Sequence, residues 1–416
     1  MSSPPTLPTD AMRRARHHLR RHGFSIVELM VSIVIGMLAL TFATRLVIGG
    51  EKAKDAAVGG SDAMQNGMLA LYSLSNDAGD AGWGLNDPML AGCNTEFADS
   101  RGFRMAVAQR AGLDITPLAP VVIESRGADP DLVTFYSGTS QTGIGSVKLA
   151  ADYTPGESSI AVDSRSPYDF NAGDVLVVAP LASPNARCTL MQMSGTGTGA
   201  AATRLTIATG GPYRFNPQAG LGLPYALNLA YLYNLGSADQ LHFHTWSVRA
   251  GVLLLRATDM PGSEANGASV SDNIVSIKAQ YGFDNRSVTN YNPNTPGNSS
   301  WGETTTSGMR IGVWSATMID ADGDGLVGGA GDYQRVGAVR LAVVARSKSS
   351  QRPGANGACT ATPVLPTVFA QAAPAGVVAA PVQVNVAVAG DPVDWKCYRY
   401  RVFETIVPIR NAQWRP

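Results

Sequence analysis

The chain has 416 residues, and 32 Lys and Arg balance 32 Asp and Glu, which places the pI near 7. That balance argues against a nucleic-acid binder, which depends on a clustered cationic surface. Only 15% of residues are charged and 45% are hydrophobic, the reverse of a disordered chain, while 45 Gly and 25 Pro favour turns and short strands over a helical bundle.

Residues 1–22 are polar and close in a cationic run of Arg13, Arg14, Arg16, Arg20 and Arg21, interleaved with His17, His18 and His22. Asp10 is the one acid there, so the rest of the chain is mildly acidic. From Phe24 to Ile48 the sequence turns apolar. As a helix this stretch spans roughly 37 Å at about 1.5 Å per residue, more than the roughly 30 Å hydrocarbon core of a bilayer. Arginines ahead of the span predict that its amino-terminal side stays inside, and Arg45 near the other end can snorkel to the interface. Glu28 is the anomaly, because an acid in lipid costs a few kcal/mol unless it is paired. An ordinary secretory signal has a shorter apolar region with a small-residue cleavage site behind it. Here the one abrupt boundary lies ahead of the span, at Gly23-Phe24.

The run Gly23-Phe24-Ser25-Ile26-Val27-Glu28-Leu29-Met30-Val31 resembles the class III signal of type IV pilins and type II secretion pseudopilins. The resemblance implies that a prepilin peptidase cuts between Gly23 and Phe24 and methylates the new amine of Phe24. It also implies that Glu28 pairs with the amino terminus of a neighbouring subunit during filament assembly. Physical chemistry agrees, since a carboxylate in lipid needs a cation and a freed α-amine on an adjacent helix is one.

After Gly49-Gly50, residues 51–77 keep helical spacing, and Met64, Met68, Leu71 and Leu74 define the stripe expected to pack on the head. Gly59, Gly60 and Gly67 weaken that helix by up to about 1 kcal/mol each, and Gly79, Gly82 and Gly84 end it. Beyond it, β-type runs between turn residues fall at 132–136, 174–179, 204–208, 231–235, 241–248, 252–256, 274–281, 338–345 and 398–406. Residues 285–307 and 347–394 read as loops, the second rich in Ala, Pro and Val. The expected fold is α+β. It has a leader at 1–23, a membrane-spanning and filament-core helix at 24–48, an amphipathic stem at 49–80, and a strand-rich head of antiparallel sheets at 81–416.

Segments 272–284, 339–347, 395–405 and 408–411 resemble the PilW family of minor pilins. That resemblance implies a low-abundance subunit that primes pilus assembly with other minor pilins and the major pilin, near the tip beneath a PilY-type adhesin. It places the anchor in the inner membrane in a single pass with the head in the periplasm, and then in the fibre at the cell surface. The J-type minor pseudopilin of type II secretion is the related alternative. A membrane-anchored periplasmic enzyme and a calcium-binding adhesin are the alternatives from other classes.

Cys93, Cys188, Cys359 and Cys397 all follow the membrane segment, on the side expected to be oxidising. Four cysteines permit three pairings. A Cys359–Cys397 bridge would tie off the uncharged 347–394 loop, which leaves Cys93 with Cys188. Asp320, Asp322 and Asp324, with Gly325, reproduce the first half of an EF-hand-type calcium loop. Its twelfth position is Gly331 where a bidentate Glu is expected, and Asp332 follows one residue late. Calcium held by Asp320, Asp322, Asp324 and Asp332 is weighed equally against a solvated acidic turn. His242, His244 and Trp246 alternate on one strand face without a visible third metal ligand, which favours packing. No nucleophile elbow, zinc-protease helix or P-loop is present in the sequence, and no catalysis is expected.

Overall fold

The computed structural model describes residues 25–85, 87, 89–139, 146–163, 170–181, 186–197, 203–216, 220, 222–287, 309–354 and 356–409. One helix, α1, runs Ile26–Asp80 without a break. It lacks proline, and its Gly49-Gly50 and Gly59-Gly60 pairs weaken the helix without stopping it. Chain contacts define two units, Met1–Ala57 and Val58–Pro416. In the first unit, every described residue from Ile26 to Gly50 is exposed. A helix is the form in which so apolar a stretch satisfies its backbone without water.

In the second unit the remainder of α1 joins the strand-rich head. Its buried face is Gly59, Ala63, Gly67, Ala70, Leu74 and Ala78, spaced three or four residues apart. Of the stripe expected from the sequence, Leu74 alone is buried; Met64 and Met68 are about half exposed and Leu71 is intermediate. The seam is built from small side chains because strands press close against the helix backbone. Gly67, expected as a weak point, lies where the ring of Phe403 occupies the space that a Cβ would fill.

Two sheets share a core with that seam. One has the spatial order Val313–Ser315, Ile274–Phe283, Val336–Arg346, Tyr400–Pro408. The other runs Ala268–Asp272, Val252–Ala257, His242–Arg249, Leu132–Ser137, Val121–Glu124. Among the described residues, every pairing within both is antiparallel. Ala63, Ala70, Leu74 and Ala78 pack with Ile277, Leu341 and Val343 of the first sheet and with Trp246 and Leu253 of the second. The Ile123 N–H donates to the Tyr281 hydroxyl at 2.6 Å and ties the sheets together. All ten residues of Ile274–Phe283 are buried, Lys278 included. Its ammonium donates to the carbonyls of Gly127 and Asp129 at 2.8 and 3.0 Å and pairs with buried Asp131, so the charge is fully engaged.

The 347–394 segment covers the opposite face of the first sheet. Val368, Phe369, Val384 and Val386 are fully buried there against Val275, Ala342 and Val344. Its low charge thus reflects core packing. A two-stranded piece, Thr367–Val368 with Val382–Gln383, holds its fold.

A third, six-stranded sheet runs Pro117–Leu118, Cys93–Glu96, Arg187–Gln192, Asp174–Pro180, Ala230–Ser237, Ser146–Lys148. It is antiparallel except for the pairing of Cys93–Glu96 with Arg187–Gln192. Its two faces feed separate cores, one around Tyr136, Tyr233 and Phe243 and the other around Leu149, Leu176, Val178 and Leu232. Most of the expected 285–307 loop falls outside the described residues.

Candidate functional site

The residues that would carry processing and assembly lie at the start of α1. Gly23 and Phe24 are outside the described residues. Glu28 stands in the first turn of α1, where the helix dipole favours an anion. Around it Ile26, Val27, Leu29, Met30 and Val31 are all exposed. The span Ile26–Gly50 is long and apolar enough to cross a membrane, and none of it is buried within the chain. Such a surface is stable only in lipid or against other apolar helices.

A second apolar surface appears on the stem. Met64, Met68, Leu69 and Tyr72 project from the side of α1 opposite the small-residue seam, each about half exposed or more. Spacing of four residues places Met64, Met68 and Tyr72 in one row. In the sequence, the small residues at 59, 63, 67, 70 and 78, in register with Leu74, were the signal that assigns these larger side chains to the outside.

The end of α1 is fastened by charge. His244 on the strand His242–Arg249 lies between two carboxylates, with Nδ1 2.9 Å from Asp77 Oδ2 and Nε2 2.8 Å from Asp259 Oδ1. The Trp246 indole N–H donates to the same Asp77 oxygen at 2.6 Å. Burial opposes a charged imidazole, but the hydrogen bonds to Asp259 and Asp77 outweigh it and raise its pKa to about 9. His242 stacks on His244 and approaches Asp259 at 3.4 Å. Both alternating histidines and Trp246 therefore serve one clamp between helix and sheet. Asp77 and Asp259, distant in sequence, were not legible as its partners.

Both disulfides are formed. Cys93 bonds Cys188 across the parallel strand pair, with Cα atoms 5.9 Å apart. Cys359 bonds Cys397, with Cα atoms 4.8 Å apart, and joins the 347–394 segment to the turn Trp395–Cys397 before the last strand.

In the acidic loop, Asp320, Asp322 and Asp324 bring one carboxylate oxygen each within 4.8 Å of the others. Asp332 does not join them. It is fully buried, and its two oxygens accept from the amides of Ala321, Asp322, Gly328 and Gly329 at 2.6, 3.3, 2.8 and 3.1 Å. Burial raises its pKa to about 6 despite those amides. A Cβ at Gly331 would overlap Asp322 Oδ2, so a side chain at the twelfth position would require the Asp322 carboxylate to move. The residues fit calcium in part, with three ligands of the six to eight that the ion takes.

Residues 245–411 match the family model for type IV pilus-assembly protein W, PilW. Residues 18–44 match the prokaryotic N-terminal methylation motif. Together they support a PilW-type pilin. No curated protein and no solved structure matches the chain. In this chain the PilW match covers the whole four-stranded sheet, the acidic loop and the Cys359–Cys397 bridge. The six-stranded sheet lies entirely in the unmatched middle. The first match names a pilus-assembly component, and the second includes Gly23, Phe24 and Glu28.

Proposed function

We propose that this chain is a minor pilin that helps to prime the type IV pilus, with its head in the periplasm before assembly and near the fibre tip afterwards. One observation carries this reading: α1 combines Glu28 with a fully exposed apolar span and continues into a head whose residues 245–411 match the PilW family. A prepilin peptidase frees the amine of Phe24 on the cytoplasmic face of the inner membrane. Glu28 then gives that amine on a neighbouring subunit a counter-charge in a medium where neither is stable alone. Met64, Met68, Leu69 and Tyr72 extend the contact surface for the helices of other minor pilins and the major pilin. A PilY-type adhesin above the head completes the tip. Calcium enters this reading as a weak ligand of Asp320, Asp322 and Asp324, with Asp332 organising the loop beneath them.

The deciding experiment is the intact mass of the amino-terminal peptide, taken from membranes and from sheared surface fibres. A peptide that begins at N-methylated Phe24 and occurs in fibres is expected. A stable mature protein that retains residues 1–23 would overturn the reading. Processing without any presence in pili, together with loss of secretion on deletion, would assign the chain to a type II secretion pseudopilus. Glu28→Ala should abolish its incorporation into fibres while the head stays folded.

A further inference from the structure

The last strand, Tyr400–Pro408, forms an edge of the four-stranded sheet and pairs on one side only, with Val336–Arg346. The pairing is regular from Arg346 opposite Tyr400 to Ala338 opposite Pro408, with no bulge. At its ends the Ser347 N–H donates to the Arg399 carbonyl at 2.8 Å and the Ile409 N–H to the Gly337 carbonyl at 2.9 Å. In an antiparallel ladder the direction of the backbone groups alternates. Odd-numbered residues therefore bond inward, and the N–H and C=O groups of Val402, Glu404 and Ile406 point outward. Among the described residues nothing pairs with those outward N–H groups. No residue of the strand is fully buried, Arg401, Val402 and Glu404 are exposed, Val402 to 38%, and neither proline nor bulge blunts it between Arg401 and Val407. Natural edges of this length are usually protected against strand addition.

A cluster of charge flanks the open edge. Lys348, Arg352, Lys396, Arg399 and Arg401 are all exposed. Their backbones are drawn together by the Ser347–Arg399 bond, by the Gln351 N–H donating to the Cys397 carbonyl at 2.7 Å, and by the Cys359–Cys397 bridge. The neighbouring acids are engaged. Glu404 accepts from the Phe369 N–H and pairs with Arg340, and Asp391 pairs with Arg346. The Asp394 side chain accepts from the Lys396 N–H. In a chain that is mildly acidic beyond its first 22 residues, this concentration of cations selects for a negative partner.

We infer that Tyr400–Pro408 is a docking edge for an extended segment of a partner protein. That segment adds an antiparallel strand outside Val402, Glu404 and Ile406, and it is acidic at the end that meets Arg399 and Arg401. Main-chain hydrogen bonds provide the affinity and the flanking cations set the register. A second copy of this chain fits less well, because self-pairing would offer that flank Pro408 and Ile409, followed in sequence by Arg410. The inference concerns a surface of the head and stands whether or not α1 enters a pilus.

The test uses the full-length protein in detergent micelles and a fluorescent peptide of about ten residues. The peptide alternates Val and Thr and carries Glu at one end. Binding is expected, weaker at high salt, and about five- to tenfold weaker when one outward hydrogen bond is removed by Val402→Pro. A proline there takes away an N–H that the ladder to Val336–Arg346 does not use. The same peptide with alternate amides N-methylated makes the test without altering the protein, and it should not bind. Arg399→Glu with Arg401→Glu should weaken the unmethylated peptide at low salt. Absence of binding, or binding indifferent to N-methylation, would overturn the inference. Phosphatidylglycerol vesicles captured through Arg399 and Arg401, with no peptide binding, would assign the flank to a lipid surface instead. A dimer in sedimentation that Val402→Pro dissolves, with no peptide binding, would assign the edge to a second copy.

Discussion

Gly67 of α1 and Phe403 of the last strand compete for one volume: a Cβ on Gly67 would overlap Cε2 and Cδ2 of the Phe403 ring. Helix propensity alone would make Gly67→Ala stabilising by about 1 kcal/mol. Overlap with a ring packed on the core costs about 1–3 kcal/mol and should prevail. Urea unfolding is expected to show a net loss for Gly67→Ala. Gly79→Ala, where nothing lies within 4 Å, should gain about 0.5–1 kcal/mol. Adding Phe403→Leu to Gly67→Ala should recover part of the loss, a coupling that two independent sites would not show.

The clamp at His244 predicts a specific pH dependence. Its folded pKa of about 9 lies above the ordinary histidine value of 6.5. The stabilisation it contributes is therefore fully present below pH 6.5 and is lost as pH rises toward 9. Linkage limits it to about 3 kcal/mol. Asp259 works in the opposite direction: burial opposes its charge, yet the bond to His244 depresses its pKa, so its contribution fades as pH falls through the carboxylate range. Melting temperature measured from pH 6 to 9 should fall in the native protein. In His244→Gln the fall over that window should be much smaller.

The two bridges close loops of different length, with separations of 95 and 38 residues. In the chain-entropy model each contributes about 4–5 kcal/mol, slightly more for the longer. Replacing Cys359 and Cys397 by Ser should destabilise the cover of the four-stranded sheet, and hydrogen exchange should rise first at Phe369, Val384 and Val386. Replacing Cys93 and Cys188 should raise exchange in the six-stranded sheet instead. Uniform loss of protection in both variants would show that the head unfolds as one cooperative unit.

Asp332 acts as the staple of the acidic loop. Asp332→Ala leaves four amides without their acceptor and should cost about 3–5 kcal/mol. Asp320→Asn with Asp322→Asn should change stability in chelator by less than about 1 kcal/mol. About millimolar calcium should raise the melting temperature of the native protein and leave that double variant unchanged. Equal responses would remove calcium from the loop.

Much of the architecture was legible because its signals are local. An apolar run of 25 residues behind an arginine cluster specifies a spanning helix through hydropathy and length alone. Alternating runs such as those at 252–256 and 274–281 lie within observed strands, Val252–Ala257 and Ile274–Phe283. The short strands Cys93–Glu96 and Arg187–Gln192 escaped notice, since four to six residues of mixed polarity carry little periodicity. The 347–394 segment was legible as irregular but not as buried, because valine and proline in a loop look alike whether they face water or a sheet.

By itself, the sequence determined the processing signal, the spanning helix with Glu28, the strand-rich character of the head and the presence of a half-formed acidic loop. Each depends on residues adjacent in the chain or at helical and strand spacing. Only the tertiary structure decided which face of α1 packs inward, that Asp332 braces the loop from beneath, that His244 joins Asp77 to Asp259, and that one edge of the sheet is open. Most of those outcomes depend on groups far apart in the chain, such as Asp77 and His244 at a separation of 167 residues, meeting in a dry interior. There, a methyl group at Gly67 or a carboxylate near His244 changes the energy by as much as the whole margin of a local preference.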